Sequence, residues 1–235
     1  MQLGARLHFR INSPASYAAW VSIRKNTVNQ ACFTPTPSLP YQLRVEDFAL
    51  AMQDVYDFFY DMNVNLREKG LRRFEDMLRP AACSGIISDM LTASLANHSR
   101  TLRENTYHNG HPDLVVQDRY PNDAIANGEY GVEIKTTLKH GGAVDTHAAR
   151  RQWFCVFVYK VDKQTQPAWN REPMTFTEVY LGQVEEEDFR HNRRGERGTP
   201  TYTLDRQGIA KLRRSWLYID RGKVSPGELQ EALQA

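Results

Sequence analysis

The chain has 235 residues, 41% hydrophobic and 11% aromatic, with 30 Lys and Arg against 28 Asp and Glu for a formal net charge of +2. This suits an ordinary globular protein, and no run approaches the roughly 18 consecutive apolar residues of a membrane span. The charge is uneven: residues 190–223 carry ten Lys or Arg against Glu196, Asp205 and Asp220, a local +7 that leaves −5 elsewhere.

Length permits one large domain or two small ones, and we expect one unit over 1–235. Within it we read a mostly helical region over 1–84, a core over 85–184 and a basic region over 185–235. The opening MQLGARLHFRINSP has no uninterrupted apolar stretch followed by a small-residue cleavage site, so no secretory signal and a cytoplasmic location are expected. Cys32, Cys83 and Cys155 are widely separated and odd in number. They offer neither a disulfide framework nor a paired-cysteine zinc site and are read as reduced packing residues.

In chain order, TPTPSLP (34–40) reads as an extended connector. VEDFALAMQDVYDFFYDM (45–62) has apolar residues at three- and four-residue spacing, which predicts an amphipathic helix. A second helix is expected over 64–78 despite Gly70, ended by Pro80, and a third over 86–98 after Ser84 and Gly85. HPDLVVQ (111–117) and EYGVEIKTTL (129–138) read as strands joined by the turn-rich RYPNDAIANG, able to pair antiparallel. AVDTHAARRQ (143–152) reads as a short helix capped by Asp145 or Thr146. It would lead into a strand at 153–161, with a final strand at 176–184. Strand, helix and strand in this order favour a crossover and a mixed α/β sheet flanked by helices. Residues 153–158 could stack bases, but continuous apolar character fits a buried central strand better.

One constellation carries chemistry. Glu133 and Lys135 are two apart on a strand, so alternation turns both to one face while Val132, Ile134 and Thr136 take the other. If the two strands pair, Asp113 can face Glu133. Two converging carboxylates repel unless one is protonated or a cation lies between them, and a hard ion such as magnesium suits such a pair. The alternative is an ordinary surface Glu and Lys on a strand. His108 and His111 flank the motif in TYHNGHPD, but their spacing is not that of a zinc helix, and histidines at a loop-to-strand transition are commonly just hydrogen-bonded.

The run HPDLVVQ, followed by VEIKTT, resembles the PD-(D/E)XK signature of restriction endonuclease-like nucleases, on Pro112, Asp113, Glu133 and Lys135. The resemblance covers about Gly85 to Val184. It implies the restriction endonuclease-like fold and Mg2+ held by Asp113, Glu133 and the backbone carbonyl of Ile134, with Lys135 assisting the water nucleophile. Many members carry another acid on the preceding helix, for which Asp89 is the candidate, with Glu75 and Glu104 as rivals.

The expected activity is magnesium-dependent, sequence-specific cleavage of double-stranded DNA in the manner of a type II restriction endonuclease, by a homodimer matching a twofold site. The alternatives are a structure-specific or repair nuclease of the same superfamily and a non-catalytic DNA-binding module. Arg193, Arg194, Arg197, Arg213 and Arg214 of the basic region, with His111, Lys139 and Arg151, are the candidates for DNA contact. A solvated basic face is the competing reading of that region.

Overall fold

A computed structural model describes residues 23–192, 201–225 and 227. The first long helix, α1 (Val45–Glu68), turns Phe48, Met52, Val55, Tyr56 and Phe59 into the core at the spacing the sequence predicts. Burying side chains of this size contributes about 1.5–3 kcal/mol each.

The expected second helix over 64–78 does not form. Its first residues prolong α1, which closes where the Gly70 N–H donates to Arg67 O at 2.9 Å and the Leu71 N–H to Leu66 O at 2.9 Å. Gly70 sits at φ +65°, the left-handed conformation that ends a helix in this pattern of bonds. Only a single turn, α2 (Phe74–Met77), follows. Pro80, expected as a terminator, is the first residue of α3 (Pro80–His98). A missing N–H costs nothing in a first turn, where that donor has no partner inside the helix.

Among the described residues the main sheet has six strands: β1 (Leu102–Glu104), β2 (Leu114–Val116), β3 (Gly131–Thr137), β5 (Gln152–Lys160), β6 (Thr175–Val184) and β9 (Trp216–Ile219), in that spatial order. All neighbours are antiparallel except β3 and β5, which are parallel. The architecture is thus mixed α/β with a helical region ahead of it.

The connection between the parallel pair departs from expectation. Residues 143–152 form no helix; Asp145–Thr146 is a short strand, β4, in a second sheet with β7 (Phe189–Asn192) and β8 (Thr201–Leu204). Val144 and Thr146 are buried while Asp145 and His147 are exposed, a period of two rather than 3.6. The pairing partners Tyr202 and Thr203 lie far downstream, so local capping residues lost to a long-range ladder. Nor is β6 the last strand. Residues 185–225 add β7, β8, α4 (Arg206–Arg214) and β9, which joins the main sheet beside β6.

Two apolar layers sandwich the sheet. On one face Ile134, Cys155, Phe157, Val179 and Leu181 pack with Phe48, Met52, Ile87 and Leu91 of α1 and α3. On the other, Phe154, Val156, Val158 and Tyr180 pack with Leu204 of β8 and Leu212 of α4. Residues 154–158 are therefore core, as their apolar run predicts, with Trp153 half-buried at the strand's start. No helix among the described residues is long and apolar enough to cross a membrane.

Candidate active site

The β2–β3 register pairs Leu114 with Val132 and Val115 with Gly131, so Asp113, one residue ahead of β2, stands opposite Glu133. Gly131 makes the approach possible: a Cβ there would lie 1.9 Å from the Leu114 carbonyl oxygen. The Asp113 carboxylate accepts a 2.7 Å hydrogen bond from the Ile134 N–H, capping the ladder just ahead of β2. The N–H and C=O of a strand residue point to the same edge, so the Ile134 carbonyl opens on the Asp113 side, where it accepts from the Ser88 hydroxyl at 3.3 Å.

Glu133 is 1% exposed. Its Oε1 is 2.5 Å from the Lys135 ammonium and its Oε2 3.1 Å from His111 Nδ1. His111 is itself held by its backbone, donating to Ala126 O at 3.1 Å and accepting from the Gly128 N–H at 2.7 Å. The motif thus folds into a cluster of two carboxylates, an ammonium and an imidazole.

Burial first, and the charge of Glu133 second, push the Asp113 carboxyl from the ordinary 3.8 up to about 6. Burial also works to raise Glu133. The hydrogen bond from His111 and the charge of Lys135 outweigh it, and hold this carboxyl at about 2. Desolvation pulls the Lys135 ammonium down, but the charges of Glu133 and Asp113 carry it above its usual value. Near neutral pH the cluster therefore holds a charged Glu133–Lys135 pair beside a carboxylate that binds a proton more readily than usual. A cation placed between the two acids would relieve the same repulsion.

Among the described residues no three His, Cys, Asp or Glu side chains converge so as to hold a metal ion. The oxygens on hand for a cation are those of Asp113, Glu133 and the Ile134 carbonyl. That donor set fits a hard ion which completes its shell with water or substrate oxygens.

The other expected residues scatter. Asp89 is exposed on α3, next to Ser88, whose hydroxyl bonds the Ile134 carbonyl. Glu75 is buried and spent on Asn63 at 2.9 Å and Arg73 at 3.1 Å. Glu104 is exposed at the end of β1, paired in register with Leu114. Lys139 is exposed just beyond β3. Arg151 is exposed and reaches Glu185 at 3.5 Å. Arg213 and Arg214 are in the last turn of α4, with Arg213 Nε donating to Gly141 O at 3.2 Å. Arg193, Arg194 and Arg197 lie outside the described residues.

Two groups escaped the sequence reading. Glu178 of β6, fully buried, meets His140, accepts from the Gly141 N–H at 3.0 Å and from the Tyr180 hydroxyl at 2.5 Å. An acid inside the apolar run FTEVYLG was the available signal. Gln152, at the start of β5, is 6% exposed with its amide nitrogen buried and without a hydrogen-bond partner. A single glutamine beside arginines gives no comparable signal.

No family model matches the chain, no curated protein matches it, and no solved structure matches its fold.

Proposed function

We propose that this protein is a magnesium-dependent DNA endonuclease of the PD-(D/E)XK, restriction endonuclease-like kind, hydrolysing phosphodiester bonds at a defined sequence. The observation that carries the reading is the convergence of Asp113, Glu133 and Lys135 at the junction of β2 and β3, with Asp113 fixed by the Ile134 amide at 2.7 Å. Composition and fold class are shared by many activities; this arrangement of acids and ammonium is chemically narrower.

Asp113, Glu133 and the Ile134 carbonyl would hold the ion. When bound, magnesium supplies positive charge to the scissile phosphate and a water of lowered pKa. Lys135, kept protonated by the carboxylates around it, orients the attacking water and presents its charge to the phosphate. Water attacks phosphorus in line with the leaving 3′ oxygen; the P–O3′ bond breaks, leaving a 5′ phosphate and a 3′ hydroxyl. His111, bonded to the opposite oxygen of Glu133, fixes that carboxylate's rotamer. A twofold target would be met by a homodimer, because symmetric sites are read by symmetric proteins.

The test is digestion of unmethylated plasmid and phage DNA with magnesium, which should give discrete bands. Asp113→Ala and Glu133→Ala should abolish cutting while DNA binding persists, and Lys135→Ala should slow it on the order of a hundredfold or more. Calcium should support binding without efficient cutting, its larger and looser shell placing the water poorly. Near wild-type cutting by either acid variant, or robust cutting in excess chelator, would overturn the assignment.

A further inference from the structure

Arg150 and Arg151 are neighbours just ahead of β5 with different surroundings. Arg151 is 71% exposed and reaches Glu185, which follows β6. Arg150 is half-buried and donates through Nη1 to Asn127 Oδ1 at 2.9 Å, in the segment that leads into β3. β3 and β6 flank β5 on opposite sides, so the two guanidiniums diverge, and it is Arg150 that turns toward the acidic cluster. Asn127 is joined by a backbone bridge to His111, whose Nδ1 is 3.1 Å from Glu133 Oε2. Arg150 is thereby tied, through Asn127 and His111, to the cluster itself. Its charge is felt at the Lys135 ammonium, where it opposes protonation.

The nature of the tether leaves the charge available. Arg44, Arg73 and Arg171 each meet a carboxylate; among the described residues no carboxylate pairs with Arg150. The neutral amide of Asn127 takes one N–H of the guanidinium fork and offsets none of its charge. A cleft of ≈ 640 Å³ with Asn127 and Arg150 in its wall opens where β3 and β5 begin, so an anion has access from outside. Two cations held side by side against their mutual repulsion suit a ligand that carries negative charge on more than one oxygen. A guanidinium matches two such oxygens at once, where an ammonium acts as a point charge. Lys139, the expected cation on β3's own chain, follows the far end of that strand and does not share this position.

We infer that Arg150 is a further catalytic residue, whose guanidinium grips the non-bridging oxygens of the scissile phosphate beside Lys135. As phosphorus becomes five-coordinate, charge builds on those oxygens, and a fixed cation holds them more tightly in the transition state than in the bound substrate. The role rests on the nuclease reading.

The full chain and its Arg150→Ala, Arg150→Gln and Arg150→Lys variants test it. Glutamine keeps an amide donor for Asn127 but has no charge; lysine keeps the charge but not the fork. With magnesium and protein in excess over plasmid, Arg150→Ala and Arg150→Gln should both cut about a hundredfold more slowly than the parent. Arg150→Lys should recover about tenfold of that loss. In calcium, where binding is read without cutting, Arg150→Ala should lower the salt slope of DNA binding by about one.

Parental cutting by Arg150→Ala overturns the inference, as does an unchanged salt slope. Equal cutting by Arg150→Gln and Arg150→Lys also overturns it, because Arg150 would then only tether the loop at Asn127. Circular dichroism melts identify a variant that fails to fold; should Arg150→Ala be one, the glutamine and lysine pair, read for both rate and salt slope, decides. Cutting by the parent and by all three variants alike removes this role and leaves the nuclease. A parent that cuts no DNA in magnesium overturns the nuclease reading and this role together.

Discussion

At the scale of residues, the two carboxylates of the cluster pull in opposite directions with pH. Asp113, raised from 3.8 to about 6, binds protons more readily folded than unfolded. Its contribution to stability is thus present at low pH and declines as pH rises from about 4 to 6. Glu133, held at about 2 against an ordinary 4.5, contributes stability above about 4.5 that is lost as pH falls toward 2. Carboxyl 13C NMR on the metal-free protein should find Asp113 titrating near 6. In Glu133→Gln it should titrate lower, because the neighbouring charge is gone while burial remains. An Asp113 midpoint unchanged by that substitution would show that the two acids do not sense each other. Cation affinity should fall with pH below about 6, as the proton competes for Asp113.

At the scale of elements, the site depends on how closely β2 approaches β3. Gly131→Ala would place a methyl 1.9 Å from the Leu114 carbonyl oxygen, which is backbone and cannot rotate away. We expect a loss of about 1–3 kcal/mol, as for overpacking generally, with a steep fall in cleavage because Asp113 loses its place opposite Glu133. Chemical denaturation and plasmid nicking measure the two effects; wild-type values for both would mean that the strands part without disturbing the site. Gly70 differs: a Cβ there meets nothing within 4 Å, so its substitution costs only the strain of a positive φ, about 1 kcal/mol.

At the scale of the whole molecule, residues 201–219 of the basic region are part of the fold. β9 pairs with β6, and Leu217 and Tyr218 are 1% exposed in the core shared with α1. A chain ending before Trp216 should therefore melt at much lower temperature or fail to fold, rather than merely bind DNA more weakly. Circular dichroism melts check this, and a stable truncated chain with only reduced DNA affinity would return the region to the status of an appendage. Arg213 and Arg214 then act, if they touch DNA, from the end of a helix whose Leu212 is fully buried, so their positions are set by packing.

The sequence by itself determined the elements whose signals are local. The 3.6-residue spacing over 45–62 fixed α1, and the apolar run at 153–161 fixed a buried central strand. The one-residue gap between Glu133 and Lys135 fixed their common face, since alternation along a strand needs no partner. Only the tertiary structure decided the rest. Residues 143–152 read as a helix until Asp145 and Thr146 found Thr203 and Tyr202. His140 acquires meaning only from Glu178, distant in the chain. Pairing energies of this kind are paid between segments far apart in sequence, and no local window contains both members.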